Sequence, residues 1–255
     1  MAAMTNTLRV ASWNVREGVP LAEELSQREV RAEVVDLLLS YKVDIAALQE
    51  VDFDDRSQSF ILSTIINETK LSYSVSNVLS ESSFSANGRA GVAIASKFPL
   101  VNVRRRNFHN PNLSANLNGN TIQTHDKGWI SATAIFAGLE ISALSLHAFP
   151  FHLFGRKAHE EVFRPLWSEL STELQHLAKE PLIACGDFNT PRRDLVSVGD
   201  GPALERAVID RPTYGDQAFD DVLYTEDFYL MSVNVVNNFS DHRMCFAEFA
   251  IADNS

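Results

Sequence analysis

The stretch Leu182-Ile-Ala-Cys-Gly-Asp187-Phe-Asn189 constrains the fold most: a short apolar run stops at a glycine and then presents two polar groups. An apolar run of that length bounded by Gly reads as a buried strand. Asp187 and Asn189 are two apart, so on an extended chain their side chains lie on one side, at the strand's carboxyl end. The pattern recurs along the chain. Residues 8–14 read as a strand ending in Asn14, and 43–48 as a second ending in Gln49-Glu50. A hairpin over 129–136 and 139–146 leads into His147. Asp220 opens the strand over 219–224, and Asp241-His242 precedes the apolar run 244–251. A lone Asn or Asp at a strand end is ordinarily a turn or cap residue. Packed sheets, however, would bring several such ends into one cleft.

Between these runs, Ser26 and Glu29 form a capping box ahead of Val30, Val34, Leu37, Leu38 and Tyr41, which follow helical spacing. Residues 57–69 read as a second helix. Phe163, Leu166, Trp167, Leu170, Leu174 and Leu177 form the stripe of a third, which starts or kinks near Pro165. Further strands are expected over 71–79, 91–96, 100–108 and 230–236. The Asn-, Ser-, Thr- and Gly-rich stretch 110–127 reads as a long loop. Strand and helix do not alternate strictly, which argues against a single parallel sheet and for two packed sheets with helices outside. The 255 residues, 45% hydrophobic, suit one domain spanning 1–255 with a core over about 7–252. No apolar run is long enough to cross a membrane, and residues 1–10 show no leader pattern, so a cytoplasmic protein is expected. Cys185 and Cys245 sit in strand-like runs and read as small buried hydrophobes.

The polar residues at the strand ends point to chemistry. Glu50 and Asp241 are hard oxygen ligands suited to Mg²⁺ or Mn²⁺, whereas no Cys/His spacing supports zinc. His242 beside Asp241, with Asp220 available to orient its ring, can act in acid–base or charge-stabilising roles. Such a set fits water attacking a phosphoester. The net charge of −11 is a handicap for gripping nucleic acid non-specifically unless positive charge is concentrated locally.

Seven motifs in order, from Ala11-Ser-Trp-Asn14 through Ala47-Leu-Gln-Glu-Val51, the Gly91 to Pro99 run, Leu144-Ser-Leu-His147, Gly186-Asp-Phe-Asn-Thr-Pro191 and Phe219-Asp-Asp-Val-Leu223 to Ser240-Asp-His-Arg243, make the chain resemble the endonuclease/exonuclease/phosphatase superfamily, the DNase I-like enzymes. The resemblance implies a four-layer α/β sandwich of two packed, mainly antiparallel sheets with helices outside. It implies Glu50 as principal metal ligand, completed by Asn14 and Asp241, with Mg²⁺ (or Mn²⁺) as cofactor. Asp187 would orient or deprotonate the attacking water, and Asn189 would hold the scissile phosphate or a second metal. His242 would contact a phosphoryl oxygen, with Asp220 fixing its tautomer. His147 would donate a proton to the leaving group.

The partner is expected to be a phosphoester substrate, and nothing in the sequence points to a protein partner. A nuclease on DNA or RNA is the first expectation. The alternative is a phosphatase or sphingomyelinase-like phosphodiesterase on a small or lipid ester, and a catalytically dead binding protein on the same fold is the third. Three features bear on the choice. Asp221, after Asp220, is expected to point away from the cleft because strand residues alternate. Residues 148–154 are too apolar for an ordinary exposed loop: they either pack under the following helix or wall the cleft. Arg104-Arg-Arg106 and Arg192-Arg193 are the dense basic clusters, and they would supply a local positive field only if they flank the cleft. Arg89, Lys97, His152 and Arg156 are further candidates for phosphate contact.

Overall fold

A computed structural model describes residues 6–22, 24–117, 119–196 and 203–251. The core limit expected at 252 and residues 1–5 of the segment read for a leader lie outside the described residues. The described residues form two six-stranded sheets and one small hairpin. In the first sheet, β1 (Thr7–Asn14) lies between β2 (Ile45–Phe53) and the last strand, β14 (Met244–Ile251). β3 (Tyr73–Glu81) and β4 (Arg89–Ser96) extend it on one side, and β13 (Phe228–Val236) closes the other. In the second sheet, β10 (Leu182–Asp187) lies between β9 (Leu139–His147) and β12 (Asp220–Tyr224). β5 (Leu100–Asn107) and β8 (Gly128–Phe136) lie beyond β9, and the two-residue β11 (Glu205–Arg206) lies beyond β12.

Pairing is antiparallel throughout except between β1 and β2 and between β9 and β10. Each parallel pair needs a crossover, and each is bridged by a helix. α1 (Gln27–Ser40) joins β1 to β2, and α3 (Arg164–Leu177) joins β9 to β10. α1 starts at the capping box: Ser26 Oγ accepts from Glu29 N, and Glu29 Oε2 accepts from Ser26 N at 2.8 Å. Its stripe of Val30, Val34 and Leu38 packs on the outer face of the first sheet, with α2 (Phe60–Glu68) beside it. α3 carries Pro165 in its first turn, where the missing N–H costs nothing, and lays Leu166, Trp167, Leu170 and Leu174 on the second sheet. The layers are therefore helix, sheet, sheet, helix.

Strand periodicity decides what lies between the sheets. Leu8, Val10, Ile45, Ala47, Ile141, Ala143, Ile183, Cys185, Val222 and Tyr224 interdigitate in one apolar cluster. Two residues further along the same faces, the pattern turns polar. Ser12, Gln49 and Ser145 follow, all buried; Gln49 Nε2 donates to Ser145 Oγ at 3.0 Å, and that hydroxyl donates to Leu48 O at 2.9 Å, tying the sheets together. Asn14, His147, Asp187 and Asp220 come next, in register across their sheets: Asp187 is opposite His147 on one side and Asp220 on the other. The interlayer thus opens into a polar end at the carboxyl ends of both parallel pairs.

Four sequence expectations shift. The second strand does not end at Leu48 but continues to Phe53 through a bulge, with Glu50 in the left-handed region at φ 49°. The second helix begins at Phe60 rather than 57, because Asp52 accepts from Phe60 N and Ile61 N while Ser59 Oγ accepts from Leu62 N. The stretch 110–127 is not a plain loop: β6 (Ser114–Leu117) and β7 (Asn120–Gln123) form a hairpin inside it. The strand read over 71–79 is displaced to Tyr73–Glu81.

At Gly186, β10 presses close on β9. A Cβ there would lie 2.5 Å from Leu146 O and 2.5 Å from Leu146 Cγ, inside contact distance. Gly186→Ala is expected to lower stability by about 1–3 kcal/mol and to displace Asp187. Urea unfolding checks the first, and an unchanged midpoint would show that β9 can yield without cost.

Candidate active site

Asp187, the last residue of β10, is the buried centre of the polar end. Its Oδ2 is approached by Asn14 Nδ2 at 3.2 Å, His147 Nε2 at 3.4 Å and His242 Nε2 at 3.6 Å. Its Oδ1 accepts the Asn189 N–H at 2.8 Å, a short loop that closes after the strand because Asn189 adopts φ 51°, which Asn tolerates well. The Asn189 side chain donates to Ala148 O at 3.0 Å. Both sheets therefore contribute to one carboxylate.

His242 is held from behind by Asp220, whose Oδ2 is 2.8 Å from Nδ1. Asp220 is anchored in turn, since Thr213 Oγ1 accepts its N–H at 2.9 Å. Tyr214 covers the His242 ring at 4.7 Å and stacks on Phe219 at 5.5 Å. His147 Nε2 also lies 3.8 Å from Glu50 Oε1, so the bulge in β2 turns Glu50 toward the other sheet. Non-glycine residues at positive φ cost of order 1–3 kcal/mol and cluster at functional sites. Here Arg16, Glu17, Glu50 and Asn189 all have φ near +50°. Asp241 lies on the rim with Arg16 Nε 3.8 Å from its Oδ2.

Glu50, His147, Asp187, Asn189, Asp241 and His242 all line one cavity of 260 Å³. Asn14 and Asp220 support it from behind through Asp187 and His242. The structure does not bring Arg89 or Arg156 to this cavity. Arg89 lines a neighbouring depression with Glu17 and Phe84, and Arg156 is paired with Glu160 at 2.6 Å. Lys97 pairs with Asp44 at 3.3 Å, far along the first sheet. His152 does line the cavity. Asp221 points away from it, buried against Arg193 at 3.2 Å and Arg206 at 2.8 Å.

The apolar segment after His147 divides: Phe149 and Phe151 enter the core under α3, while Leu153 and Phe154 face the cavity. The facing wall is the β6–β7 hairpin, through Leu117 and Ile122. Sequence reasoning missed this hairpin, although Asn118-Gly119 between alternating residues is a turn signal. It also missed Lys127, whose Nζ is 3.2 Å from His147 Nδ1, and Tyr214; neither has a sequence pattern that marks it.

The charge distribution fits a hard divalent cation. Removal from water, then the like charges of Asp220 and Glu50, raise the Asp187 carboxyl to about 7, while His242 and the Asn189 N–H act against the rise. Asp220 Oδ1 is buried without a hydrogen-bond partner. Asp187, Asp220 and His242 offer ligand atoms within 4.8 Å of one another, but Asp220 engages the His242 ring, so the carboxylates left facing the cavity are Glu50, Asp187 and Asp241. Excess buried carboxylate of this kind is what a bound cation offsets. For His242, burial opposes the charged ring, but Asp220 and Asp187 outweigh it and lift the group to about 10. Burial, Lys127 and His242 all push His147 well below its ordinary value.

The comparisons with known proteins agree with this geometry. The model of the Endonuclease/Exonuclease/phosphatase family matches residues 11–242. An endonuclease/exonuclease/phosphatase from Beutenbergia cavernae superposes with a TM-score of 0.70 at 16% identity, over 97% of this chain and 72% of that one. The human Nocturnin catalytic domain, solved with bound sulfate, gives 0.63 at 21% identity over 97% and 94%. Sphingomyelinase C from Streptomyces griseocarneus gives 0.60 at 15% identity over 96% and 100%. At these identities the likeness is one of fold, a four-layer α/β sandwich. None of the curated proteins compared with the sequence matches it.

In metal-free protein, Asp187 and His242 both bind protons more tightly folded than unfolded. Their stabilisation is complete at low pH and is lost as pH rises, between 3.8 and about 7 for Asp187 and between 6.5 and about 10 for His242. In EDTA the urea midpoint contribution of this pair should therefore fall with rising pH. Asp187→Asn should flatten the fall in the lower window; an identical profile in the variant would mean that Asp187 titrates normally.

Proposed function

The chain belongs to the endonuclease/exonuclease/phosphatase family, whose members hydrolyse phosphoesters, and from that premise we propose that it is a divalent-metal-dependent hydrolase of a small or chain-terminal phosphoester. The observation that carries this reading is the cavity around Asp187: enclosed on two sides by Leu117, Ile122, Leu153 and Phe154, with Lys127 its sole lysine or arginine among the described residues. A protein that tracks along duplex DNA needs a basic face. The dense arginine clusters do not supply one. Arg104 and Arg106 pair with Glu173 at 2.8 Å and Glu169 at 2.6 Å, and Arg105 donates to Ser76 O. Arg192 pairs with Asp194, and Arg193 is buried on Asp221. This reading takes up the small-ester alternative ahead of the nuclease first expected.

Glu50 and Asp241, with Asn14 and Asp187 behind them, would hold Mg²⁺ or Mn²⁺. The ion would supply Lewis-acid polarisation of a phosphoryl oxygen. Asp187 would orient the attacking water and take its proton, for which a carboxyl near neutral pH is suited. His242, kept positive by Asp220, would stabilise negative charge on the phosphoryl oxygens. Asn189 would hold the phosphate, and His147 would offer Nε2–H toward the leaving oxygen. The apolar walls would take up the organic part of the ester.

A second reading has its own observation. His152, Tyr214 and Phe219 form an aromatic series at the cavity, with His152 5.9 Å from Tyr214 and 5.1 Å from Phe219. Base–aromatic stacking is sequence-tolerant, so a strand end could be cleaved there by an exonuclease.

Bis(p-nitrophenyl) phosphate, p-nitrophenyl phosphate, a phosphocholine lipid, single-stranded DNA and duplex DNA, each with Mg²⁺ or Mn²⁺, decide between these. Turnover of a small or lipid ester that stops in EDTA is expected. Turnover of single strands from an end, with small esters untouched, would install the second reading; fast duplex nicking would overturn both. Glu50→Gln and Asp187→Asn should each lower turnover by about 10²–10⁴-fold without lowering the urea midpoint at neutral pH. Full activity in either variant would remove that residue from the site.

A further inference from the structure

Lys127 stands directly before β8, and its Nζ lies 3.2 Å from His147 Nδ1. An ammonium carries three donors and no lone pair. The ring nitrogen facing it must therefore accept, and the proton of His147 must sit on Nε2. The opposite edge of the ring is compatible with this answer but does not enforce it: Nε2 lies 3.4 Å from Asp187 Oδ2 and 3.8 Å from Glu50 Oε1, with a hydrogen bond to neither. We propose that Lys127 is a positioning residue that fixes His147 as the Nε2–H tautomer and aims that proton into the cavity.

The fold holds the lysine in place for this. Gly128, the next residue, is paired with His147 across β8 and β9, so the two side chains start from neighbouring positions. A Cβ at Gly128 would lie 2.1 Å from Arg106 O, so the backbone beside Lys127 is pressed against β5. Lys127 O accepts Phe108 N at 2.8 Å. Burial pushes the Lys127 ammonium below its ordinary value, and the carboxylates of Glu50, Asp187 and Glu17 act against that fall; Glu17 is itself fixed by Ser83 N at 3.0 Å. The two imidazoles that meet Asp187 are thus set in opposite senses. An anion, Asp220, stands behind His242 and requires N–H at Nδ1; a cation stands behind His147 and requires a lone pair there. A family pattern in which His147 is a proton donor does not by itself say which nitrogen carries the proton, and in this chain Lys127 makes that choice.

The tautomer can be read without any substrate, and only the kinetic arm of the test rests on the phosphoesterase reading. Histidine ¹⁵N NMR of the full chain in EDTA at neutral pH, with His147 assigned through His147→Gln, separates protonated from bare ring nitrogens. Nδ1 bare and Nε2 protonated is expected in the wild type. Lys127→Met should move His147 toward a mixture of tautomers, and Lys127→Arg should retain the wild-type pattern, because a guanidinium also lacks an acceptor. With bis(p-nitrophenyl) phosphate and Mg²⁺, Lys127→Met should lower kcat by about 10–100-fold at little-changed KM, and Lys127→Arg should recover most of the loss. A wild-type His147 protonated on Nδ1 overturns the proposal, as does an unchanged tautomer in Lys127→Met. A raised KM at constant kcat overturns it as well, making Lys127 a direct phosphate contact. A wild type silent on the ester yet showing the expected tautomer overturns the phosphoesterase reading alone and supports the positioning role.

Discussion

A single carboxylate oxygen, Asp187 Oδ2, is met by donors from three separate parts of the chain: Asn14 at the end of β1, His147 at the end of β9, and His242 before β14. Burying a carboxylate is expensive unless it is paired or hydrogen-bonded. The site therefore depends on both sheets being docked, because neither sheet alone provides the donors. Gln49 and Ser145, hydrogen-bonded across the interlayer beneath it, set the spacing that makes the meeting possible.

The same interlayer accounts for why chemistry sits at one end. Alternation places Leu8, Val10, Ile183 and Cys185 in an apolar cluster, and continues on the same faces to Asn14 and Asp187. Both parallel pairs run toward that end, so their carboxyl termini converge there, as ligand sites do in sheets with crossover helices. Backbone strain reaches the same place. Glu50 leaves the regular ladder through a bulge, and its backbone is in a region that side chains disfavour. Fold stability and site geometry are thus set against each other within β2.

The two histidines at the cavity differ in charge because their surroundings differ. Asp220 behind His242 holds a positive ring against Asp187, whereas burial, and then Lys127 behind it, disfavours a second positive charge on His147. The β6–β7 hairpin, with Leu153 and Phe154, borders the same cavity, and on the proposed reading these walls would take up the organic part of the ester. Neighbours of the same fold bear names as different as Nocturnin and sphingomyelinase C, which is expected when function resides in loops grafted on a shared scaffold.

The sequence by itself determined the strands and the identity of the polar residues at their ends, because period-two alternation and the stop at Gly186-Asp187 are local properties. It also determined that Asp221 faces away from Asp220, through the same alternation. It did not determine where the arginine clusters would lie, because their ion pairs with Glu169, Glu173 and Asp221 are made across elements far apart in the chain; the pairing of Arg156 with Glu160, four residues on, is local. The continuation of β2 past Glu50 was hidden because a bulge breaks the alternation by which strands are recognised. Lys127 was invisible for a further reason: a lysine in a polar stretch has no pattern, and its meaning comes from the ring that β9 sets 3.2 Å away. Local chemistry wrote the list of groups, and only the docking of two sheets decided which of them share one carboxylate.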